Sequence, residues 1–292
     1  MRAYFGKHIH EVFKEILVDL TEAPDFVASP RGLEVKEIRD CSIQVDHPLM
    51  NLYKNKHRSS PLKYCSAELL WYFAGTNDPT FIENYATLWK GIHNPDGTVN
   101  SAYGHLLFTQ RNEHGISQYK WVIECLKSDK DSRQAFMHFN KPMHQWFWNK
   151  DQVCTLQALF HIREDKLYMT ITMRSNDVIY GFMTDWVFFS ILHHHVFLHL
   201  KQYYPQLQMG SYTHISHSMH LYERHYELVD KMLEEDFELD STPLMNTTIL
   251  DEEGNIKPEY KKFLKPIQSG KKPDFSKKTG NTLLDWCFET LK

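Results

Sequence analysis

Apolar positions along the chain switch between a helical period and a period of two. Residues 4–20 place Ile9, Val12, Phe13, Ile16, Leu17 and Leu20 at helical spacing, which predicts an amphipathic helix; Pro24 and Pro30 punctuate its exit. The stretch 33–46 (LEVKEIRDCSIQVD) is rich in β-branched residues and roughly alternates, so it reads as a strand with an irregularity near Arg39. Helices are expected over 64–74, over 78–90 with Asn77 or Asp78 as cap, and over about 116–127. Residues 134–140, 153–163 and 166–174 are strand-like, with Arg163-Glu164-Asp165-Lys166 as the turn between the last two. A helix beginning at Asp185 and running to about residue 204 is too apolar for an exposed place and is expected to be central. Residues 206–217 read as a strand and 221–235 as a helix. Residues 240–292 are polar and read as a carboxy-terminal extension with no assigned structure. Helices mixed with non-alternating strands predict an α+β fold.

With 292 residues, 42% of them hydrophobic, the chain can bury a substantial core. It has no Gly/Ser tract, Pro-rich stretch or internal repeat to divide it, so one domain over 1–292 is expected. Lys plus Arg number 33 against 37 Asp plus Glu, a formal charge of -4. That balance gives no global attraction for nucleic acid or an anionic membrane, and makes a nucleotide an easier partner than a polymer. Five scattered cysteines (41, 65, 125, 154, 287) form neither a disulfide framework nor a CxxC zinc pattern. The charged amino terminus lacks a signal-peptide core, and no apolar run approaches the roughly 20 residues of a membrane span. A soluble, cytoplasmic protein is expected.

Four segments carry the candidate chemistry. They are Glu68-Leu69-Leu70-Trp71-Tyr72-Phe73 with Trp89 downstream; Asn100-Ser101-Ala102-Tyr103-Gly104; Asp131-Ser132-Arg133, then Cys154, then RSNDVIYGFMTDW at 174–186; and His217-Ser218-Met219-His220-Leu221-Tyr222. In order and spacing they resemble the thymidylate synthase superfamily over about 31–233, about two thirds of the chain. Within it the resemblance is strongest to the phage deoxycytidylate hydroxymethylases, in Cys154-Thr155, the RSNDV run and the GFxxD segment. Thymidylate synthases usually carry Cys-His at the nucleophile, and Pro-Phe-Asn where this chain has Met183-Thr184-Asp185.

The resemblance implies an α+β fold with a long central helix, a homodimer, and one-carbon transfer from 5,10-methylenetetrahydrofolate to C5 of a pyrimidine nucleoside monophosphate. Cys154 would be the nucleophile that adds to C6, activated by nearby arginines that lower its pKa, with Arg174 the candidate. Arg174, Ser175 and Arg31 would hold the phosphate, together with Arg133 donated by the partner subunit; guanidinium forks suit phosphate geometry. Gln134 departs from the pattern, standing where the family has a second arginine. His220 and Tyr222 would bind the sugar 3'-hydroxyl, from one face of a strand. Glu68 matches the catalytic glutamate, and its apolar neighbours should raise its pKa. Trp89 and Asp177 match folate-pocket positions, and Tyr103 matches the proton-transfer network.

Asp185 bears on the base. Uracil offers a donor at N3 and an acceptor at O4, which an asparagine amide complements. Cytosine offers the reverse, which a protonated carboxyl complements. Asp185 lies ten residues after Ser175, where synthases place that asparagine, so cytosine is favoured; a helix N-cap is the bland alternative. Thr155 and a carboxy terminus ending Phe288-Glu289-Thr290-Leu291-Lys292 lean toward a hydroxymethyl rather than a methyl product. Methylation of a uracil or cytosine nucleotide, and a non-catalytic nucleotide- or RNA-binding paralogue, are the competing readings. CMP and dCMP are not distinguished. His193-His194-His195 with His199 includes an (i, i+4) pair, but no acidic or Cys partner stands nearby, so no metal is expected. Lys271-Lys272 and Lys277-Lys278 read as a solvated tail.

Overall fold

A computed structural model describes residues 1–292. Residues 4–6 belong to a strand, β1 (Arg2–Gly6), and the first helix, α1 (Ile9–Glu22), starts only at Ile9. All six apolar residues whose spacing predicts that helix are buried. After β2 (Phe26–Ala28) comes β3 (Val35–Val45), whose irregularity falls at Asp40, a left-handed residue with φ 52°. β4 (Leu52–Lys54) leads to α2 (Leu62–Ala74), the helix that carries Glu68.

The helix expected over 78–90 does not form. Two short 3-10 turns, Ile82–Asn84 and Thr87–Gly91, stand in its place. Side chains here compete for the backbone: Asp78 Oδ1 accepts from the Thr80 amide at 2.9 Å, and Asn84 Nδ2 donates to the Thr80 and Phe81 carbonyls, each at 3.0 Å.

Next come α3 (Gln118–Ser128), capped by Ser117, and β5 (Phe136–His138). β6 (Thr155–Arg163) and β7 (Lys166–Met173) form a hairpin; Glu164 and Asp165 turn it with φ 48° and 56°, the left-handed pair of a type I′ turn. β8 (Asn176–Asp177) precedes α4 (Phe182–Leu200), which begins three residues before the expected Asp185. β9 (Gln208–Tyr222) runs five residues past its expected end, because β3 and β8 supply hydrogen-bonding partners up to Tyr222 and His220 respectively. The helix expected over 221–235 shrinks accordingly to α5 (Tyr226–Leu233).

The main sheet runs β1-β3-β9-β7-β6-β5, with β2 on β3 and β8 on β9. Parallel pairs (β1 with β3, β7 and β8 with β9) sit among antiparallel ones, which makes the fold α+β. α4 packs on β7 and β9 and also against α2 and α3; of its 19 residues only Asp185, Phe197 and Leu198 escape full burial. It is the central helix. On the opposite face of the sheet the alternate side chains, among them Leu159, Tyr168 and Ile215, stay partly open.

The histidines of α4 serve packing. His195 Nε2 accepts from the Ile249 and Leu250 amides at 2.9 and 3.2 Å, so its Nδ1–H donates to Tyr119 Oη, which in turn donates to His199 Nδ1; both of these bonds are 2.6 Å. No group of three or more His, Cys, Asp or Glu side chains is placed to hold a metal ion.

The polar extension proves ordered. β10 (Glu238–Asp240) pairs with β4, and α6 (Pro258–Gln268) and α7 (Thr282–Leu291) pack on α2. Gln268 Nε2 donates to the Ala74 carbonyl at 2.7 Å, closing the end of α2.

Candidate active site

The β6–β7 pairing brings two sequence-distant residues together. Thr155 lies opposite Met173, and one residue outward the Arg174 amide donates to the Cys154 carbonyl at 2.9 Å. Arg174 then folds its guanidinium over the loop before β6: Nε donates to the Val153 carbonyl at 3.1 Å and Nη2 to that of Gln152 at 2.5 Å. Nη2 also lies 3.4 Å from Cys154 Sγ. Arg174 and Ser175 occupy the break between β7 and β8, two strands that pair with β9 in the same register on either side of it.

The thiol corrects one expectation. Burial pushes Cys154 above its ordinary range, and Asp185 and Asp151 add to the rise; Arg174 and Arg31 oppose it without overcoming it. Arg31 itself stands exposed in a left-handed conformation, φ 55°, in the short turn Pro30–Gly32.

Tyr103 anchors the other side. Thr155 Oγ1 donates to its hydroxyl at 2.9 Å, and its buried ring stacks on Tyr72 at 5.5 Å. Close approach is allowed by Gly104, where an added Cβ would lie 1.8 Å from the Tyr72 carbonyl oxygen. The preceding Ser101 donates its amide (2.8 Å) and hydroxyl to the buried Asp151, three residues before Cys154. The NSxYG segment thereby braces the loop that leads to Cys154.

Glu68 is buried on α2 and accepts at one oxygen from Tyr64 (2.7 Å) and Tyr72 (3.3 Å). Burial lifts it to about 7 against the pull of those two hydroxyls. Trp89, also buried, donates its indole N–H to Tyr64 Oη at 3.2 Å, so it meets Glu68 through Tyr64. The sequence reading missed Tyr64 and Tyr72, although their positions four residues either side of Glu68 put all three on one helix face.

Asp185 sits one turn inside α4, whose N-cap is Gly181; the capping alternative therefore falls. Its Oδ2 accepts from Asn176 Nδ2 at 2.9 Å. Burial, and then the charge of Glu68, hold its carboxyl well above the ordinary carboxylate range, with Asn176 pulling the other way. Asp177 points elsewhere: Oδ1 accepts from the Ile179 and Tyr180 amides (2.8 and 3.1 Å), and Oδ2 lies 3.9 Å from Arg224.

His220 and Tyr222 share one face of β9, with ring centroids 5.1 Å apart. Arg133 is not gathered with this group. Exposed and free of any hydrogen bond or ion pair within the chain, it lines, with Gln134, a separate cavity of about 710 Å³ beside α3.

The chain belongs to the thymidylate synthase family: residues 32–261 match its sequence profile. This is a family of one-carbon transfer enzymes that bind a nucleoside monophosphate and a folate. The chain is 29% identical over 216 residues to the deoxycytidylate 5-hydroxymethyltransferase of Enterobacteria phage T6, covering 70% of this chain and 83% of that protein. It is also 29% identical over 261 residues to the deoxyuridylate hydroxymethyltransferase of Bacillus phage SP01, covering 84% of this chain and 66% of that protein. A thymidylate synthase of Buchnera aphidicola is 27% identical over 176 residues, covering 57% of this chain and 62% of that protein. No helix is long and apolar enough to cross a membrane.

Proposed function

We propose that residues 1–292 act as one catalytic unit that transfers the methylene carbon of 5,10-methylenetetrahydrofolate to C5 of a cytidine nucleotide, dCMP or CMP, and releases the 5-hydroxymethyl product. The observation that carries the reading is Asp185: a carboxyl that burial and Glu68 push well above the ordinary carboxylate range, toward its protonated form, with one oxygen held by Asn176 and within electrostatic reach of the Cys154 thiol. Such a group donates to N3 of cytosine and accepts from its N4–H.

In this reading Cys154 Sγ adds to C6 once phosphate and arginines have assembled around it, and C5 then attacks the folate methylene. Loss of the C5 proton and of tetrahydrofolate leaves an exocyclic methylene. Water adds there, its spare proton leaves to base, and the Cys154–C6 bond breaks. Glu68, poised at about 7, is suited to order that water and move the protons. Tyr103 shares in the proton transfers. Arg174, Ser175 and Arg31 hold the phosphate, His220 and Tyr222 the sugar, and Trp89 and Asp177 flank the folate. The partly open sheet face suits a homodimer that delivers Arg133 to the partner's phosphate.

Incubation with CMP, dCMP and dUMP plus methylenetetrahydrofolate tests this. A mass gain of CH2O on a cytidine nucleotide without dihydrofolate absorbance is expected; a gain of CH2 with dihydrofolate overturns the hydroxymethyl assignment. A second reading, hydroxymethylation of dUMP, is favoured by the similarity to the deoxyuridylate hydroxymethyltransferase of the Bacillus phage. It stands if dUMP alone is converted.

A further inference from the structure

Asp185 does not stand alone. Behind it a chain of side chains runs back into the core: Asn176 Nδ2 to Asp185 Oδ2 at 2.9 Å, His214 Nε2 to Asn176 Oδ1 at 3.0 Å, and Tyr212 Oη to His214 Nδ1 at 2.8 Å. Asn176, His214 and Tyr212 are all buried. Phe182, Trp186 and Tyr212 box in the His214 ring at centroid distances of 5.2, 6.3 and 6.0 Å. A Cβ added at Gly181 would lie 3.1 Å from Asn176 Nδ2, so the glycine leaves the amide the space it occupies.

We propose that Tyr212, His214 and Asn176 are positioning residues that form a one-way hydrogen-bond chain, deciding which oxygen of Asp185 carries its proton and hence which base the site reads. The argument is an inventory of donors. Tyr212 Oη makes no other hydrogen bond, and a buried hydroxyl proton without an acceptor is costly, so Tyr212 donates to His214 Nδ1. His214, kept neutral by burial, then has its proton on Nε2 and donates to Asn176 Oδ1. Asn176 must turn its Nδ2 toward Asp185, whose Oδ2 can only accept. The carboxyl proton is left on Oδ1, away from the chain.

Run backwards, the same four groups would put the Asp185 proton on Oδ2, pointing at Asn176. Oδ1 would then be an acceptor, the partner that uracil N3–H wants. One phenolic proton, three residues behind the base, excludes that arrangement.

The proposal rests on Asp185 reading the base, and the test separates the two. Dissociation constants for dCMP, CMP and dUMP are measured by calorimetry for the wild type, Tyr212→Phe and His214→Phe, with circular dichroism melts to check folding. Wild-type preference for cytosine, falling at least about tenfold in Tyr212→Phe, is expected. His214→Gln, which keeps a donor toward Asn176, should retain more of the preference than His214→Phe. A uniform loss of affinity for all three nucleotides, or an unchanged ratio in folded Tyr212→Phe, overturns the chain. No cytosine preference in the wild type overturns the reading of Asp185 itself.

Discussion

Arg174 Nη2 lies 3.4 Å from the Cys154 sulfur while the guanidinium's two other bonds end on the carbonyls of Val153 and Gln152, just before Cys154. The guanidinium places positive charge beside the sulfur and ties down the loop that carries it. In the free protein burial still outweighs that charge, so the thiol titrates above its ordinary range. Replacing Arg174 with glutamine should raise it further, slowing alkylation by iodoacetamide at neutral pH roughly tenfold. Equal alkylation rates in the two proteins would show that the contact does not tune the sulfur.

Glu68 titrates at about 7 when folded against 4.5 for the free side chain. A raised carboxylate contributes stability that is complete below pH 4.5 and disappears as pH climbs through about 7, up to about 3 kcal/mol. Glu68→Gln should therefore melt higher than wild type at alkaline pH, yet turn over roughly a hundredfold more slowly or worse. Melts across that range, paired with rate measurements, check both halves.

The core histidines act with the opposite sign. Burial lowers His193 and His199 to about 4 and His214 to about 3, from 6.5. Their contribution is present above pH 6.5 and is lost as pH falls through about 4 for His193 and His199, about 3 kcal/mol each, and through about 3 for His214, about 5 kcal/mol. Calorimetry on Glu68→Gln, where the opposing carboxylate is gone, should show the melting temperature dropping below pH 6.5. A flat profile there contradicts their neutral state.

Asp185→Asn replaces the buried carboxyl with an amide, and should move the dCMP-to-dUMP specificity ratio at least about tenfold toward dUMP. The competition assay with both nucleotides in one tube reads this directly. An unmoved ratio removes Asp185 from base recognition.

If Arg133 serves the neighbouring subunit, Arg133→Ala and Cys154→Ser should each be impaired alone and complement when mixed. Random reassociation of equal amounts gives about a quarter of wild-type activity, since half the dimers carry one complete site. Activity no greater than the sum of the separate proteins would place Arg133 within its own subunit or outside the site.

Much of this molecule was written in one dimension. The spacing of Ile9 through Leu20, the β6–β7 hairpin and the apolar α4 all follow from local period and turn chemistry. So does the gathering of Glu68 with Tyr64 and Tyr72, which lay unread at helical spacing. Polarity on average hid α6 and α7, although Tyr260, Phe263, Leu264 and Ile267 keep a helical period that would have shown one of them. The helix expected over 78–90 fails because the side chains of Asp78 and Asn84 bond to the backbone there in place of the helical ladder.

Other features had no local signal at all. Cys154 meets Arg174 only because two strands pair, and Asn176 meets His214 only because β8 and β9 share a sheet. Residue types and their spacing determined which groups were available for chemistry and which segments would coil or extend. Burial, proton direction and the balance of charge at Cys154, Glu68 and Asp185 belong to the tertiary structure, because desolvation and hydrogen bonding depend on what surrounds an atom in space.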